Sequence, residues 1–148
     1  MKTLNSAARH QRGASLIEVL VAAAILGFGM LGVAALQSLA MRNSQSSLER
    51  SQAVMHGYAI LDAMRANAQV ADNNGYNMAK TCEAPKGGDL SANDRQRWIN
   101  SLKSRLGSDA CGTIACNAGT CTVTVEWNDS RGTGGLAAQQ IAINGRIL

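Results

Sequence analysis

An uncharged apolar segment near the N-terminus constrains this chain more than any other feature. No charged residue occurs between Glu18 and Arg42, and every residue from Val19 to Leu36 is apolar or glycine. At a helical rise of about 1.5 Å per residue, such a segment can cross a hydrocarbon core about 30 Å thick. The sequence therefore predicts a membrane-inserting helix.

The residues before this segment predict its orientation. Lys2, Arg9 and Arg12 precede it without any acidic residue, and such cations favour the cytoplasmic side. We therefore expect a single-pass protein of the inner membrane with its C-terminal part in the periplasm. Two simpler interpretations remain: a secretory signal peptide cut after Ala40, although such apolar regions usually run about 7 to 15 residues, or a plain anchor that keeps its leader.

The start of the apolar segment resembles a known processing site. Gly13 is followed by a short segment and then by Leu16-Ile17-Glu18, which is similar to the prepilin site of type IV pilins and related pseudopilins. The resemblance implies cleavage after Gly13 by prepilin peptidase, N-methylation of Ala14 and an intersubunit contact through Glu18. Ala14 is a departure, because these families more often start with Phe or Met.

A second segment of the sequence resembles one subgroup of these families. Residues Tyr58 to Asn67, which end in Leu-Asp-Ala-Met-Arg-Ala-Asn, resemble the PilV-type minor pilins. This resemblance implies a minor pilin that helps to initiate type IV pilus assembly and joins the pilus tip. The implied partners are other minor pilins, the major pilin, prepilin peptidase, the inner-membrane assembly platform and membrane lipid. Two alternatives stay open: a minor pseudopilin of a type II secretion system, and a tip adhesin that binds ligands through the segment Ala71 to Leu90.

Composition argues against other classes of function. Loss of the leader removes three of the 14 basic residues, which leaves 11 against 10 acidic residues. A nearly neutral chain with five scattered aromatic residues offers no basic stripe or stacking surface for nucleic acid. We find no phosphate-binding loop, nucleophile elbow or paired metal ligands, so we expect no enzyme, cofactor or metal. His10 lies in the leader, and His56 is expected to be an exposed helix residue.

The four cysteines predict two disulfides in a periplasmic head. Cys111, Cys116 and Cys121 lack the close C-x₂-C pairs of a zinc ribbon, whereas a small extracytoplasmic domain gains stability from disulfides. Four cysteines allow three pairings. A four-residue hairpin loop from Asn117 to Thr120 favours the pair Cys116–Cys121, which leaves Cys82 for Cys111.

The pattern before Ala71 predicts one long helix, from Ser15 to Gln69. Its second half contains apolar residues at steps of three and four; these are Val54, Tyr58, Leu61, Met64 and Ala68. The segment Ala71 to Leu90 is rich in Asn, Gly and Asp and is expected to be an extended loop.

The remainder of the chain predicts one helix and several strands. Ser91 and Asp94 resemble a capping box before a helix whose apolar face carries Trp98, Leu102 and Leu106. Alternation from Thr122 to Trp127 predicts a half-buried strand, a second strand is expected around Ile141 to Ile147, and a third around Cys111 to Cys116.

The expected fold class is therefore α+β and pilin-like, with a long N-terminal helix packed on a small antiparallel sheet of three or four strands. We divide the chain into a leader (1–13), a transmembrane half of the helix (14–41), an amphipathic half (42–70) and a globular head (71–148).

Overall fold

The computed structural model describes Gly13 and residues 15–147, and these form two compact units that meet in sequence between Ser38 and Leu39. In chain order the described elements are α1 (Leu16–Ala66), α2 (Ala68–Asp72), β1 (Met78–Thr81), α3 (Leu90–Leu106), β2 (Cys111–Asn117), β3 (Thr120–Trp127) and β4 (Gln139–Arg146). The long helix and the four-stranded antiparallel sheet confirm the expected α+β fold class.

The first unit consists of the apolar part of α1. Its large side chains are exposed, among them Leu16, Phe28 and Leu31, and the most apolar 18-residue window has a mean hydropathy of 2.5. By length and composition this helix can cross a membrane, although a signal sequence near the N-terminus has the same properties. The finding fits a single-pass membrane protein.

Helix α1 ends slightly earlier than expected, at Ala66 rather than Gln69. Asn67 leaves the helical conformation with φ −125° and ψ 47°, and its side-chain amide donates to the hydroxyl of Tyr76 at 3.2 Å. The tertiary hydrogen bond accompanies a break in the helix, and the chain then continues as α2. The expected end at Gln69 was therefore wrong by a few residues.

In the second unit, α1 packs on the sheet through a face centred on Gly57. A Cβ atom at Gly57 would collide with Ile143 of β4, so the absence of a side chain permits this close approach. Ile60, Leu61 and Met64 are buried on the same side. Tyr58 was expected in this stripe but is 50% exposed, because one residue beyond Gly57 is turned about 100° around the helix.

Helix α3 begins two residues earlier than the predicted capping box implies. Asp89 is the N-cap, and its Oδ1 accepts from the backbone N–H of Ala92 at 2.8 Å. Ser91 cannot cap because its hydroxyl lies within 3.0 Å of Asp89 Oδ1 and 3.2 Å of the Gly75 carbonyl. Asp94 instead accepts from the hydroxyl of Tyr76. The predicted apolar face of α3, which consists of Trp98, Leu102 and Leu106, is nevertheless buried, and Ile99 is buried as well.

The sheet has the order β1-β2-β3-β4, and all its strand pairs are antiparallel. The predicted alternation in β3 is confirmed, because Val123, Val125 and Trp127 are almost fully buried. Strand β1 was not expected: it lies within the segment interpreted as a loop and pairs Met78 with Ile114 of β2. Four residues are too few for periodicity to identify a strand.

Strands β2 and β3 form a tight hairpin closed by a disulfide. Cys116 lies opposite Cys121, and Asn117 opposite Thr120, so the loop contains two residues rather than the expected four. Ala118 and Gly119 both have positive φ, 47° and 74°, as a type I′ turn requires. The two expected disulfides are present, and they join Cys116 to Cys121 and Cys82 to Cys111, the pairs that the sequence favoured.

The larger disulfide ring predicts a clear loss of stability when it is opened. The pair Cys82–Cys111 spans 29 residues and encloses α3, so the chain-entropy model predicts that Cys82→Ala with Cys111→Ala lowers the free energy of unfolding by about 2 to 4 kcal/mol. Denaturant unfolding of the full chain in detergent can be followed by tryptophan fluorescence, because Trp98 and Trp127 both lie in the core. A loss below about 1 kcal/mol would contradict this account.

The burial of His56 predicts that the stability of the head depends on pH. Its ring is half-buried rather than exposed as expected, and Ser101 Oγ lies 3.3 Å from Nδ1. Burial lowers the pKa of His56 below its ordinary value of 6.5, and the cation of Arg105 lowers it further. The folded state therefore binds the proton less readily than the unfolded state, so stability falls as pH drops below about 6.5 toward the lowered pKa.

The matched variant is His56→Gln, which removes the titration while keeping a polar side chain. Between pH 7.5 and pH 5.5, the wild-type chain should lose more unfolding free energy than the variant, as measured by urea unfolding at each pH. His10, the other histidine, lies in the leader, so the difference reports His56. Equal losses in the two proteins would show that His56 does not control the pH response.

Candidate processing and assembly site

The proposed cleavage residue lies just outside the long helix. Gly13 is exposed and has no regular secondary structure, and a Cβ atom placed on it would meet nothing within 4 Å. Helix α1 begins only at Leu16. The backbone at Gly13 is therefore irregular and accessible, whereas Ala14, the expected methylation site, lies outside the described residues.

Backbone hydrogen bonds set the start of α1. The carbonyl of Ser15 accepts from the backbone N–H of Glu18 at 3.0 Å and of Val19 at 3.2 Å. Residues Ser15 to Glu18 also match the S-x-x-E pattern of a capping box, a helix-start signal that the sequence interpretation did not use. No side-chain capping hydrogen bond of Ser15 or Glu18 is present among the described residues, so the backbone bonds to the Ser15 carbonyl mark the start of the helix.

Glu18 lies in the first turn of α1 and is exposed. Among the residues that the structure describes, none forms a hydrogen bond or ion pair with its side chain. An acidic residue in the first helical turn interacts favourably with the helix dipole, by about 0.3 to 1 kcal/mol. The described residues thus leave the Glu18 carboxylate exposed at the start of α1.

The cysteines do not form a metal site. All four are joined in disulfides, which removes the thiolates that bind metal. Within Gly13 and residues 15–147, no group of three or more His, Cys, Asp or Glu side chains is arranged to hold a metal ion. The structure thus assigns the four sulfurs a role in stabilising the head.

Comparison with known families gave a match to the N-terminal part of the chain. Residues 8–34 match the family described as the prokaryotic N-terminal methylation motif, and this range includes Gly13, Ala14, Glu18 and most of the apolar segment. Comparison with curated proteins and with solved structures gave no match.

The motif and the α+β fold together support a type IV pilin-like protein. The motif also implies processing by prepilin peptidase and association with a pilus-type assembly machinery. A pilin-type motif indicates a structural subunit rather than an enzyme.

Proposed function

We propose that this protein is a minor pilin that takes part in initiating type IV pilus assembly and is incorporated at the pilus tip. The observation that carries the proposal is the methylation motif at residues 8–34, which leads directly into a helix that reaches from Leu16 to Ala66. The resemblance of Tyr58–Asn67 to PilV-type minor pilins supports the narrower assignment.

The proposal divides the chain by function. Prepilin peptidase removes the leader (1–13) on the cytoplasmic side, and the new N-terminus at Ala14 is methylated. Residues 14–41 hold the subunit in the inner membrane, residues 42–70 contain the rest of α1 and the start of α2, and residues 71–148 form the periplasmic head. Lys2, Arg9 and Arg12 support this orientation because cations favour the cytoplasmic side.

Glu18 would connect subunits during assembly. Removal of the leader places a positively charged amine at Ala14, four residues before Glu18. A carboxylate close to lipid is costly without a partner, so Glu18 of one subunit would bind the Ala14 amine of its neighbour. Pairing the two charges fixes the axial register of neighbouring helices, which is the role a priming complex requires.

The head would provide contacts with other minor pilins and with the major pilin. Two disulfides hold its hairpin and the end of β1 in place, so the surface presented to a partner is rigid. Rigid surfaces bind with a smaller ordering cost. No catalytic step is needed for this role, and the assembly platform of the inner membrane supplies the driving machinery.

Co-purification in the source bacterium tests the assignment. A subunit tagged at the C-terminus, extracted in mild detergent after in-cell crosslinking, is expected to bring down other minor pilins and the major pilin. A head lacking residues 1–38 serves as the control and should recover fewer partners. Recovery of type II secretion components instead of pilins would favour the pseudopilin alternative and contradict the proposal.

A further inference from the structure

A pocket of about 580 Å³ lies in the head unit, between α1 and the loop that joins β3 to β4. Met41, Arg42 and Glu49 line it from the helix, and Arg131 lines it from the loop. Asp129 also belongs to the loop wall, so the lining combines one large apolar side chain, two guanidinium groups and two carboxylates. The volume is within the range of about 300 to 1,000 Å³ that is typical of small-molecule sites.

The loop wall of this pocket is held in place by Asp129. This residue is only 2% exposed, and its Oδ2 accepts from the hydroxyl of Ser46 on α1 at 2.7 Å. Its backbone N–H donates to the carbonyl of Leu136, and its carbonyl accepts from the N–H of Gly132, both at 2.9 Å. The helix and the loop are thus tied together, and the pocket is preformed.

Glu49 is a buried carboxylate with weak protein contacts. Its side chain is 8% exposed. Gln45 Nε2 donates to Oε1 at 3.4 Å, and Arg131 Nη2 lies 3.8 Å from the same oxygen. Charge-assisted hydrogen bonds to carboxylates are usually about 2.7 to 2.9 Å long. A buried charge without short hydrogen bonds is costly, so Glu49 can accept a further donor from a ligand in the pocket.

The charges of the pocket follow a fixed order along α1. Arg42 and Glu49 are seven residues apart, so they lie on the same helix face about 10 Å from each other along the axis. Arg42 is the first charged residue after the apolar segment, so in the inserted chain it comes first at the level of the lipid phosphates. Moving away from the bilayer, the order is Met41, Arg42 and then Glu49: apolar, positive, negative.

We propose that this pocket binds a phosphate ester carrying a primary ammonium, supplied as the headgroup of phosphatidylethanolamine. That lipid presents acyl chain, phosphate and ammonium in the complementary order. Arg42 and Arg131 contact the phosphate, which arginine binds well through its planar donors, and Glu49 accepts from the ammonium. A choline headgroup has no N–H to donate, and a glycerol headgroup has no cation for Glu49.

Binding of this lipid would anchor the unassembled subunit at the membrane surface. The bound headgroup would secure the segment around Arg42 at the membrane surface until assembly withdraws the subunit from the bilayer. The inference depends on insertion of α1 in a membrane, and it stands whether or not the subunit primes a pilus.

Native mass spectrometry of the full processed chain in detergent tests the proposal. The added lipids are phosphatidylethanolamine, phosphatidylcholine and phosphatidylglycerol, each with the same acyl chains, and soluble phosphoethanolamine distinguishes a lipid from a free ligand. We expect phosphatidylethanolamine to bind at least about tenfold more tightly than the other two lipids. Glu49→Gln should remove this preference, because Glu49 accepts from the ammonium, whereas Arg42→Gln should weaken the binding of all three lipids, because each of them carries the phosphate.

Arg50→Gln is the matched control, because Arg50 is exposed and does not line the pocket; it should keep the preference. Tryptophan fluorescence shows whether each variant is folded. If Glu49→Gln unfolds the head, Arg42→Gln and Arg131→Gln replace it in the test, because both residues are exposed. Equal affinity of the wild-type chain for all three lipids, an unchanged preference in folded Glu49→Gln, or an unchanged affinity in folded Arg42→Gln would overturn the site. Soluble phosphoethanolamine binding as tightly as the lipid would overturn the lipid assignment.

Discussion

A Gly13→Val subunit is expected to remain uncleaved in the membrane, with its leader attached and no free amine at Ala14. Crowding a tightly packed site with a larger side chain costs about 1 to 3 kcal/mol, and each 1.4 kcal/mol slows a reaction about tenfold. We therefore expect the rate of cleavage to fall by about fivefold to a hundredfold. Intact-mass measurement of the membrane form distinguishes a chain that starts at Met1 from one that starts at Ala14.

The structure makes this variant selective. Because nothing lies within 4 Å of a Cβ atom at Gly13, the valine disturbs no contact within the described subunit, and the effect arises in the peptidase. Gly27→Val is the matched control, since Gly27 has an equally open environment and lies outside the cleavage motif. Normal cleavage of Gly13→Val, or a mature chain that begins near Met41, would contradict the prepilin-type processing site.

Glu18→Ala is expected to be cleaved and inserted normally but to assemble poorly. If Glu18 binds the Ala14 amine of a neighbouring subunit, its removal leaves that amine unpaired near lipid. Removing one partner of a buried ion pair typically costs about 3 to 5 kcal/mol, which corresponds to a loss of at least about a hundredfold in association. Co-purification with partner pilins and the number of surface pili should both fall sharply.

Two comparisons make this result specific. Glu83→Ala removes an exposed glutamate from the head and should leave assembly unchanged, whereas Glu18→Asp retains the charge and should preserve part of it. Wild-type recovery of partners by a cleaved Glu18→Ala subunit would disprove the intersubunit role. Glu18 would then contribute only the stabilisation of about 0.3 to 1 kcal/mol that a first-turn carboxylate gives a helix.

The sequence alone was enough to predict the features that depend on residues close together in the chain. The apolar run after Glu18 required no tertiary information, because length and lack of charge alone suit a helix to a bilayer. Alternation in β3 revealed its buried face for a similar reason, since successive side chains of a strand point to opposite sides. The processing motif is also local, and residues 8–34 match a family on that basis.

Local sequence patterns could not predict the N-cap of α3 or the exposure of Tyr58, because tertiary contacts decided both. Ser91 matched an N-cap, yet Asp89 caps α3 while the hydroxyl of Ser91 bonds to Asp89 and the Gly75 carbonyl. Tyr58 fitted the apolar spacing of α1, but the close contact between Gly57 and Ile143 turned it toward solvent. In each case a residue had two permitted environments, and packing against a distant segment selected one.

The sequence by itself determined the processing motif, the apolar helix and the alternation of the main strands, because each depends on residues close together in the chain. Tertiary structure alone decided that Gly112 lies against Trp98, where a side chain would not fit, and that Ser46 meets Asp129 across 83 residues. The pocket beside Glu49 is lined by both residues of that second contact. Long-range packing has no fixed spacing in sequence, so only the folded chain brings these groups together.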